Sequence, residues 1–332
     1  MKPKRRHYLD LAIAFAMSFA AIASAQQPSV RTPRIGLLAW WPCEMPYTSE
    51  SSEFGPLMRG LVELGHSLGE LSFECRSASK HDSGLAAAAA ELVQHPVDVI
   101  VTSSQPAAHA AYNATHTIPI VTIISGDPVA AGLAISLAKP GGNLTGVTYY
   151  ANELAAKRLE LLKEAVPELA TVGMLANPVV SYIPFETDAK DAANRLGIAV
   201  SIQHVSEPDE LDTAFSRMEA AGVQAVFVLP DLMLASQSSR IAALAIEHRL
   251  PTMAWGPWFV ADGCLMAYSA RYREMEHRLA FYVDRILKGS KPGDLPIEQP
   301  TKFDLSINLK TAKALGIDLP QTLLVMADEV VE

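Results

Sequence analysis

The sequence predicts an α/β fold of two doubly wound, Rossmann-like lobes, with a central cleft and multiple hinge crossings between them. Three observations predict it. From residue 34 onward, short β-rich runs alternate with stretches of helical period, the pattern of parallel sheets covered on both faces. The runs are nearly continuous in apolar residues, as strands buried on both sides require. One strand–loop–helix–strand unit also occurs twice, its copies starting about 126 residues apart at Val97 and Val223.

Ahead of these elements lies a segment of another kind. "MKPKRRH" is basic, "LAIAFAMSFAAIA" (Leu11 to Ala23) is an apolar run of 13 residues, and Ala23-Ser24-Ala25 is an A-x-A cleavage signal. Such a run is short of the ~20 residues that a bilayer-spanning helix needs. Residues 1–25 are therefore expected to be a secretory signal peptide, cleaved near Ala25 to give a periplasmic protein, with an uncleaved membrane anchor as the alternative. Residues 26–33 read as a polar linker. Removing residues 1–25 takes away four basic residues and one acid, so the formal charge moves from −9 to about −12. That acid balance argues against nucleic acid as a partner.

The strand candidates are 34–40, 71–75, 97–101, 118–124, 171–176, 198–203, 223–229 and 250–255. Between them, "NELAAKRLELLKEAV" (152–166) carries an apolar stripe of Leu154, Leu159, Leu161, Leu162 and Val166, with charges opposite. "VDVIVTSSQPAAHA…HTIPIVTIISGDP" aligns with "VQAVFVLPDLMLAS…HRLPTMAWGPW" as strand, polar loop with Pro, helix, strand and loop. Two similar lobes account for this better than a solenoid, whose repeats are far shorter. Chance likeness between two generic βαβ units is the competing account. The Gly-rich segment 138–152 and the segment 262–272 read as crossings between lobes. After them come a helix at 273–289, a strand in "TKFDLSIN" and a helix stopped by Gly316. The domain division expected is an N-terminal lobe of 34–147 plus about 270–298, and a C-terminal lobe of 148–269 plus about 299–332.

Three cysteines, Cys43, Cys75 and Cys264, permit at most one intrachain disulfide. Cys43 and Cys75 each follow an early strand-like run and are candidate neighbours; three free thiols are the alternative.

Long segments of this chain carry a resemblance. "ELVQHPVDVIVTSSQPAAHAAYNATHTIPIV", "SGDPVAAGLAISLAKPGGNLTGVT", "AKRLELLKEAVPELATVGMLANP" and the stretch from "ADGCLMAYSARY" to "PTKFDLSINLKTAKALGIDLP" resemble, in order, the ABC transporter substrate-binding protein family of the tryptophan/tyrosine-importer type. The resemblance runs from about residue 33 to 332. It implies a periplasmic binding protein type I-like fold that closes on a small organic ligand, an amino acid or related carboxylate, and delivers it to an ABC permease. The sequence departs from the family at "WWPCEMPYTSESSEF" and "ANPVVSYIPFE", both cleft-facing there.

In open parallel sheets, ligands bind outside the carboxyl ends of the strands. The loops so selected are 40–47, 102–106, 125–128, 176–184, 229–236 and 255–260. In the first lobe, Ser103, Ser104 and Gln105 open a helix with Pro106 in its first turn. Free N–H groups and the positive end of the helix dipole suit a ligand carboxylate there, although a plain Ser cap has the same appearance. Gly126 and Asp127 in "SGDPV" and Asp231 in "LPD" occupy matching places in the two lobes. Either aspartate suits a ligand ammonium, or serves as an ordinary turn and cap residue. Asn177 follows the strand at 171–176. Trp40, Trp41, Trp255 and Trp258 all fall in these loops, and Tyr149 and Tyr268 in the crossings. Their flat surfaces suit a ring-bearing ligand, or pack the loops onto the sheets.

Three catalytic signatures are absent: GxxxxGK[ST], GxGxxG and HExxH. His116 and His248 sit at equivalent helix ends, where the dipole favours them. No metal or cofactor is expected, and neither is an enzyme. The expected function is a monomeric solute receptor feeding an ABC importer. The alternative is a ligand sensor of the same fold that signals to a membrane receptor.

Overall fold

The computed structural model describes residues 31–43, 52–78, 82–149, 151–178 and 183–332. The expected signal peptide and most of the linker lie outside the described residues. Residues 33–332 form one compact unit. Among the described residues no helix is long and apolar enough to cross a membrane.

The first sheet is built by β1 (Arg34–Ala39), β2 (Ser72–Ser77), β3 (Val99–Thr102), β4 (Ile120–Ile124) and β5 (Leu144–Thr148). Helices α1 (Gly55–Glu63), α2 (Leu85–Leu92) and α3 (Gln105–Ala114) connect its strands. The order is β2-β1-β3-β4-β5, and every pairing is parallel. The chain then runs through α4 (Ala151–Ala165), β6 (Thr171–Ala176), α5 (Ile183–Arg195), β7 (Ala199–His204), α6 (Leu211–Ala220) and β8 (Ala225–Val228). It continues as α7 (Leu232–Ser236), α8 (Ser238–Glu247), β9 (Thr252–Ala254), α9 (Pro257–Ala261), β10 (Met266–Ala270) and α10 (Tyr272–Leu287). The last elements are β11 (Phe303–Asn308), α11 (Leu309–Leu315), α12 (Gln321–Met326) and β12 (Glu329–Val331). The second sheet has the order β12-β11-β10-β9-β8-β6-β7, with β11 antiparallel to β10.

Both sheets are doubly wound, and each reverses its strand order at one place. In the first sheet the reversal falls between β1 and β3; in the second, between β6 and β8. Helices leave on opposite faces there, so a crevice opens at the carboxyl ends. The apolar runs explain the layers. Val99 and Val101 face one core while Ile100 faces the other, all three fully buried. Val226 and Phe227 divide the two cores of the second sheet in the same way.

The segments read as crossings contain strands as well. β5 and β10 escaped the apolar pattern because polar residues interrupt them. Thr145 and Thr148 are buried, and each hydroxyl is satisfied by a carbonyl: Leu295 at 2.8 Å and Gly126 at 2.7 Å. The three-residue edge strand β12 carries no pattern to read.

After β10 in the second sheet, α10 packs on the first: Leu279, Val283 and Ile286 join the core of Leu57, Leu61 and Val121. Residues 295–298 remain against β5, with the Thr148 N–H donating to the Glu298 carbonyl at 2.8 Å. The chain then returns to the second sheet at β11. The contact of α10 with α1 depends on Gly60, where a Cβ would lie 2.6 Å from the Ala280 Cβ and 2.8 Å from the His277 carbonyl oxygen. The helix at 309–315 ends at Gly316 as expected, in the left-handed conformation with φ 70°.

Gly60→Val is expected to lower the unfolding free energy by about 1–3 kcal/mol, because overpacking there forces the two helices apart. Urea denaturation checks this; an unchanged midpoint would show that the helix pair does not need close approach.

Candidate ligand-binding cleft

A cleft of about 1070 Å³ lies between the two sheets. The first lobe contributes Trp41, the Cys43 and Cys75 pair, Glu53, Phe54 and Ser103 to its wall. The second contributes Leu232, Trp255, Trp258 and Ser306, and the start of α10 contributes Arg271 to Glu274 and Glu276. A smaller cavity of about 30 Å³ adjoins it and is lined by Ser104, Gln105, Ser125, Tyr149 and Asp231. Ser103, Leu232, Trp255 and Tyr272 line both.

The order reversal of the first sheet places the centre of this site. The end of β1 presents Trp41, the end of β3 presents Ser103, and the loop entering α1 presents Glu53. Ser103 donates its hydroxyl to Glu53 Oε1 at 2.5 Å, and the Trp41 N–H donates to Oε2 at 3.4 Å. Tyr272, the first residue of α10, donates its phenol to the Ser103 carbonyl. The hydroxyl expected to seat a ligand's negative group therefore holds a carboxylate of the chain itself.

At the α3 start, Ser104 is the N-cap and accepts the Ala107 N–H at 3.4 Å. The Gln105 carboxamide oxygen accepts the Gly126 N–H at 2.7 Å and the Ser125 hydroxyl at 3.0 Å. These bonds tie the β3 and β4 loops together. In the second sheet, Asn177 and Asp231 stand at the ends of the two strands flanking its reversal. Asn177 donates to Asp231 Oδ2 at 3.0 Å, and Asp231 Oδ1 accepts the Leu234 N–H at 2.7 Å as the cap of α7. Asp231 is thus the counterpart of Ser104 in capping, as the internal likeness of the two units suggests.

Of the residues singled out from sequence, Trp41, Ser103, Ser104, Gln105, Tyr149, Asp231 and Trp255 line one or both cavities. Trp40, Gly126, Asp127, Asn177 and Tyr268 line neither. Trp40 is 1% exposed and packs edge-on against Trp41, 4.8 Å between centroids. Gly126 is buried beneath Gln105. Asp127 accepts the Val129 N–H at 2.8 Å, the turn role that Asp-Pro sequences commonly take. Tyr268 stacks on Phe303 at 5.9 Å, while its carbonyl accepts from Arg158 Nε at 2.8 Å. Trp258 does line the cleft, packed edge-on against Trp255 at 4.8 Å and against Tyr272 at 6.1 Å.

Sequence reasoning missed Glu53, Tyr272 and Glu276. The carboxyl-end rule selects loops up to the next helix, and the loop after β1 reaches Phe54, beyond the 40–47 window. Tyr272 and Glu276 follow β10, whose strand character was hidden.

The cleft is acidic. Glu53, Glu274, Glu276, Asp304, Asp328 and Glu329 line it against Arg271 and Arg273. Burial pushes the Glu53 carboxyl up to about 7, against the lowering effect of the Ser103 and Trp41 hydrogen bonds. Burial likewise pushes Glu276 up to about 8, with Arg273 opposing and the Glu53 charge adding to the rise. The indole N–H groups of Trp255 and Trp258 are buried without an acceptor. Among the described residues, no group of three or more His, Cys, Asp or Glu is placed to hold a metal ion.

Cys43 and Cys75 form a disulfide, with Cα atoms 6.1 Å apart. The register explains it: Cys75 lies opposite Leu37 in the neighbouring strand, and Cys43 follows the end of β1. The bond fastens the cleft wall between Trp41 and β2. Cys264 is free and buried, and burial lifts its thiol to about 12. His248 meets Glu219 at 2.6 Å beside the end of α8, and His116 packs edge-on against Tyr112 at 5.5 Å.

Two α/β lobes, joined by several crossings and facing each other across a ligand-sized cleft, define a type I periplasmic binding protein fold. The chain belongs to the ABC transporter substrate-binding protein family, whose description matches residues 49–331. It is 28% identical over 262 residues to a tyrosine-binding protein of Clostridioides difficile strain R20291, covering 78% of this chain and 75% of that protein. Its fold matches an ABC domain from Streptococcus pneumonia in complex with L-Trp, with TM-score 0.81, 25% identity and coverage of 90% and 100% of the two chains. It also matches a conserved domain protein of Vibrio cholerae at TM-score 0.83 and 26% identity, with the same coverage. A ligand-free, open substrate-binding protein of Clostridium difficile gives TM-score 0.64 at 25% identity, covering 90% and 99%. Membership in this family makes the chain a solute-binding protein.

Two outcomes follow from the site. A group whose folded pKa is raised stabilises the fold below its unfolded value and loses that contribution as pH rises. For Glu53 and Glu276 the loss spans from about 4.5 to about 7 and about 8. The melting temperature of the ligand-free protein should fall across that window, and Glu53→Gln with Glu276→Gln should flatten the fall. An equal slope in the double variant would contradict the burial of these carboxyls. Removing the disulfide as Cys43→Ser/Cys75→Ser should cost about 3–4 kcal/mol in chemical denaturation, from the loop-closure relation.

Proposed function

We propose that the chain is the periplasmic receptor of an ABC importer, and that it closes its two lobes on a ring-bearing amino acid. The cleft carries this reading: about 1070 Å³ at the carboxyl ends of two doubly wound sheets, walled by Trp41, Trp255, Trp258 and Tyr272. Trp258 packs edge-on against both Trp255 and Tyr272, and such rings suit contact with a further ring. Of the relatives at 25% identity or more, one is described as tyrosine-binding and another is in complex with L-Trp.

The crossings after β5, after β10 and before β11 supply the hinge, with the N-terminal lobe taken as 34–147 plus about 270–298 and the C-terminal lobe as the remainder. Hinge closure about a few element-terminal residues is the usual motion of such receptors. At equal identity, the better match to the L-Trp complex than to the ligand-free, open relative supports a lobe arrangement near the liganded one. The basic, apolar, A-x-A start of the chain supports export, and the disulfide suits an oxidising compartment. An ABC permease is the implied partner, and the receptor acts as a monomer without catalysis.

Isothermal titration of the chain from Gln26 onward with tryptophan, tyrosine and phenylalanine should give saturable binding. Leucine and hexoses should bind at least about tenfold more weakly, since burying a ring of this size is worth a few kcal/mol. Trp258→Ala should weaken the aromatic ligands by a similar factor. Tighter binding of a hexose than of any aromatic amino acid would refute the reading.

A further inference from the structure

On the walls of the cleft six acids, Glu53, Glu274, Glu276, Asp304, Asp328 and Glu329, face two arginines. Both arginines on the wall are committed. Arg271 gives Nε to both Asp304 oxygens at 2.9 Å and another nitrogen to Glu274 at 3.2 Å. Arg273 gives one nitrogen to Glu276 and to the Ser52 carbonyl, each at 3.2 Å. Asp328 accepts the Leu305 N–H at 2.9 Å and Glu329 the Ser306 hydroxyl at 3.1 Å, both neutral donors. Glu53 likewise accepts from a hydroxyl and a backbone N–H.

Among the described residues, the buried side-chain donors on the cleft wall without an acceptor are the indole N–H groups of Trp255 and Trp258. Trp255 is 5% exposed, so its N–H pays for burial until an acceptor arrives. These donors serve a hydroxyl, a carbonyl or an ether; being neutral, they do not offset a carboxylate's charge. Arg158, a buried guanidinium with two nitrogens lacking hydrogen-bond partners, lies off the cleft wall beside Tyr149 and Tyr268. A ligand carboxylate thus meets walls rich in acids, whereas an ammonium group meets Glu53 and the aromatic rings of Trp41 and Tyr272 on the same lining.

We propose that this cleft selects its ligand through the amine: Glu53, held by Ser103 and the Trp41 N–H, receives a protonated amino group, and aromatic amines without a carboxylate are ligands alongside the aromatic amino acids. The proposal rests on the receptor reading above and extends its ligand class to organic cations. Glu53 is the specificity-determining residue, and Glu276 supports it. The groups facing Glu53 are Ser103 after β3, the backbone of Trp40 and Trp41 after β1, and Tyr272 and Glu276 on α10, with Arg273 bound to Glu276. Burial raises the phenols of Tyr149 and Tyr272 above their ordinary value, and Glu276, itself pushed up to about 8, titrates beside Glu53.

The test is calorimetric titration of the chain from Gln26 onward with three matched probes: tryptophan, tryptamine and N-acetyltryptophan, repeated with the tyrosine series. Tryptamine and tyramine should bind within about tenfold of the parent amino acids, and the N-acetylated acids should not bind detectably. Glu53→Gln should weaken both amines and amino acids by roughly tenfold to a hundredfold, the loss expected for a charge-assisted hydrogen bond. Tryptamine affinity should rise as pH increases through about 7 in the wild type, and the rise should shrink in Glu53→Gln, where Glu276 alone of the pair still titrates. The wild-type series stands even if that variant folds poorly. Binding of amino acids and N-acetylated acids with no binding of the amines would overturn the amine proposal and leave the receptor reading intact. No binding by any member of either series would overturn both.

Discussion

The hydrogen bond from Ser103 to Glu53 fixes the centre of this molecule. It joins the carboxyl end of β3 to the loop that follows β1, across the one place where the first sheet reverses its strand order. Tyr272 ties the same residue to α10 through the Ser103 carbonyl, so the helix that returns to the first lobe is anchored at the cleft. Glu53 is thereby held on the wall of the cleft. The second sheet repeats the device at its own reversal with Asn177 and Asp231. There the carboxylate is consumed by a side-chain amide and a helix cap, and the aromatic residues Trp255 and Trp258 carry the contact surface instead.

This arrangement costs stability in the ligand-free protein. Two carboxyls are lifted far above their ordinary range by burial, and two indole N–H groups lack acceptors. A cleft built to exchange water for ligand keeps such groups unmatched until the exchange occurs. The fold offsets the cost outside the cleft. Four apolar cores cover both faces of both sheets, and the Cys43–Cys75 disulfide fastens the wall that carries Trp41.

Much of the fold was legible in the sequence because parallel sheets leave strong marks. Ile120–Ile124 and Ala225–Val228 are buried on both faces, and their sequences are apolar except for Thr122. β5 and β10 were less legible, since Thr145, Thr148 and Ser269 spend their polarity on local partners or face the cleft. The site was legible only in part. The carboxyl-end rule led to Trp41, Ser103 and Trp255, which no chemical motif marks. It did not lead to Glu53, because the polar loop preceding α1 gives no sign of which acid folds back onto β3. Nor did sequence distinguish a helix start waiting for an anion from one where a chain carboxylate already accepts the serine hydroxyl. The difference depends on a contact between residues 50 positions apart.

The central claim is that a ligand's positive end, and not its negative end, meets Glu53. A crystal structure of the protein with bound tryptophan tests it most directly. The account predicts the α-ammonium nitrogen within hydrogen-bonding distance of a Glu53 carboxylate oxygen, with the indole in the cleft that Trp41, Trp255, Trp258 and Tyr272 line. A carboxylate facing Glu53, or a ligand seated outside this cleft, would contradict it.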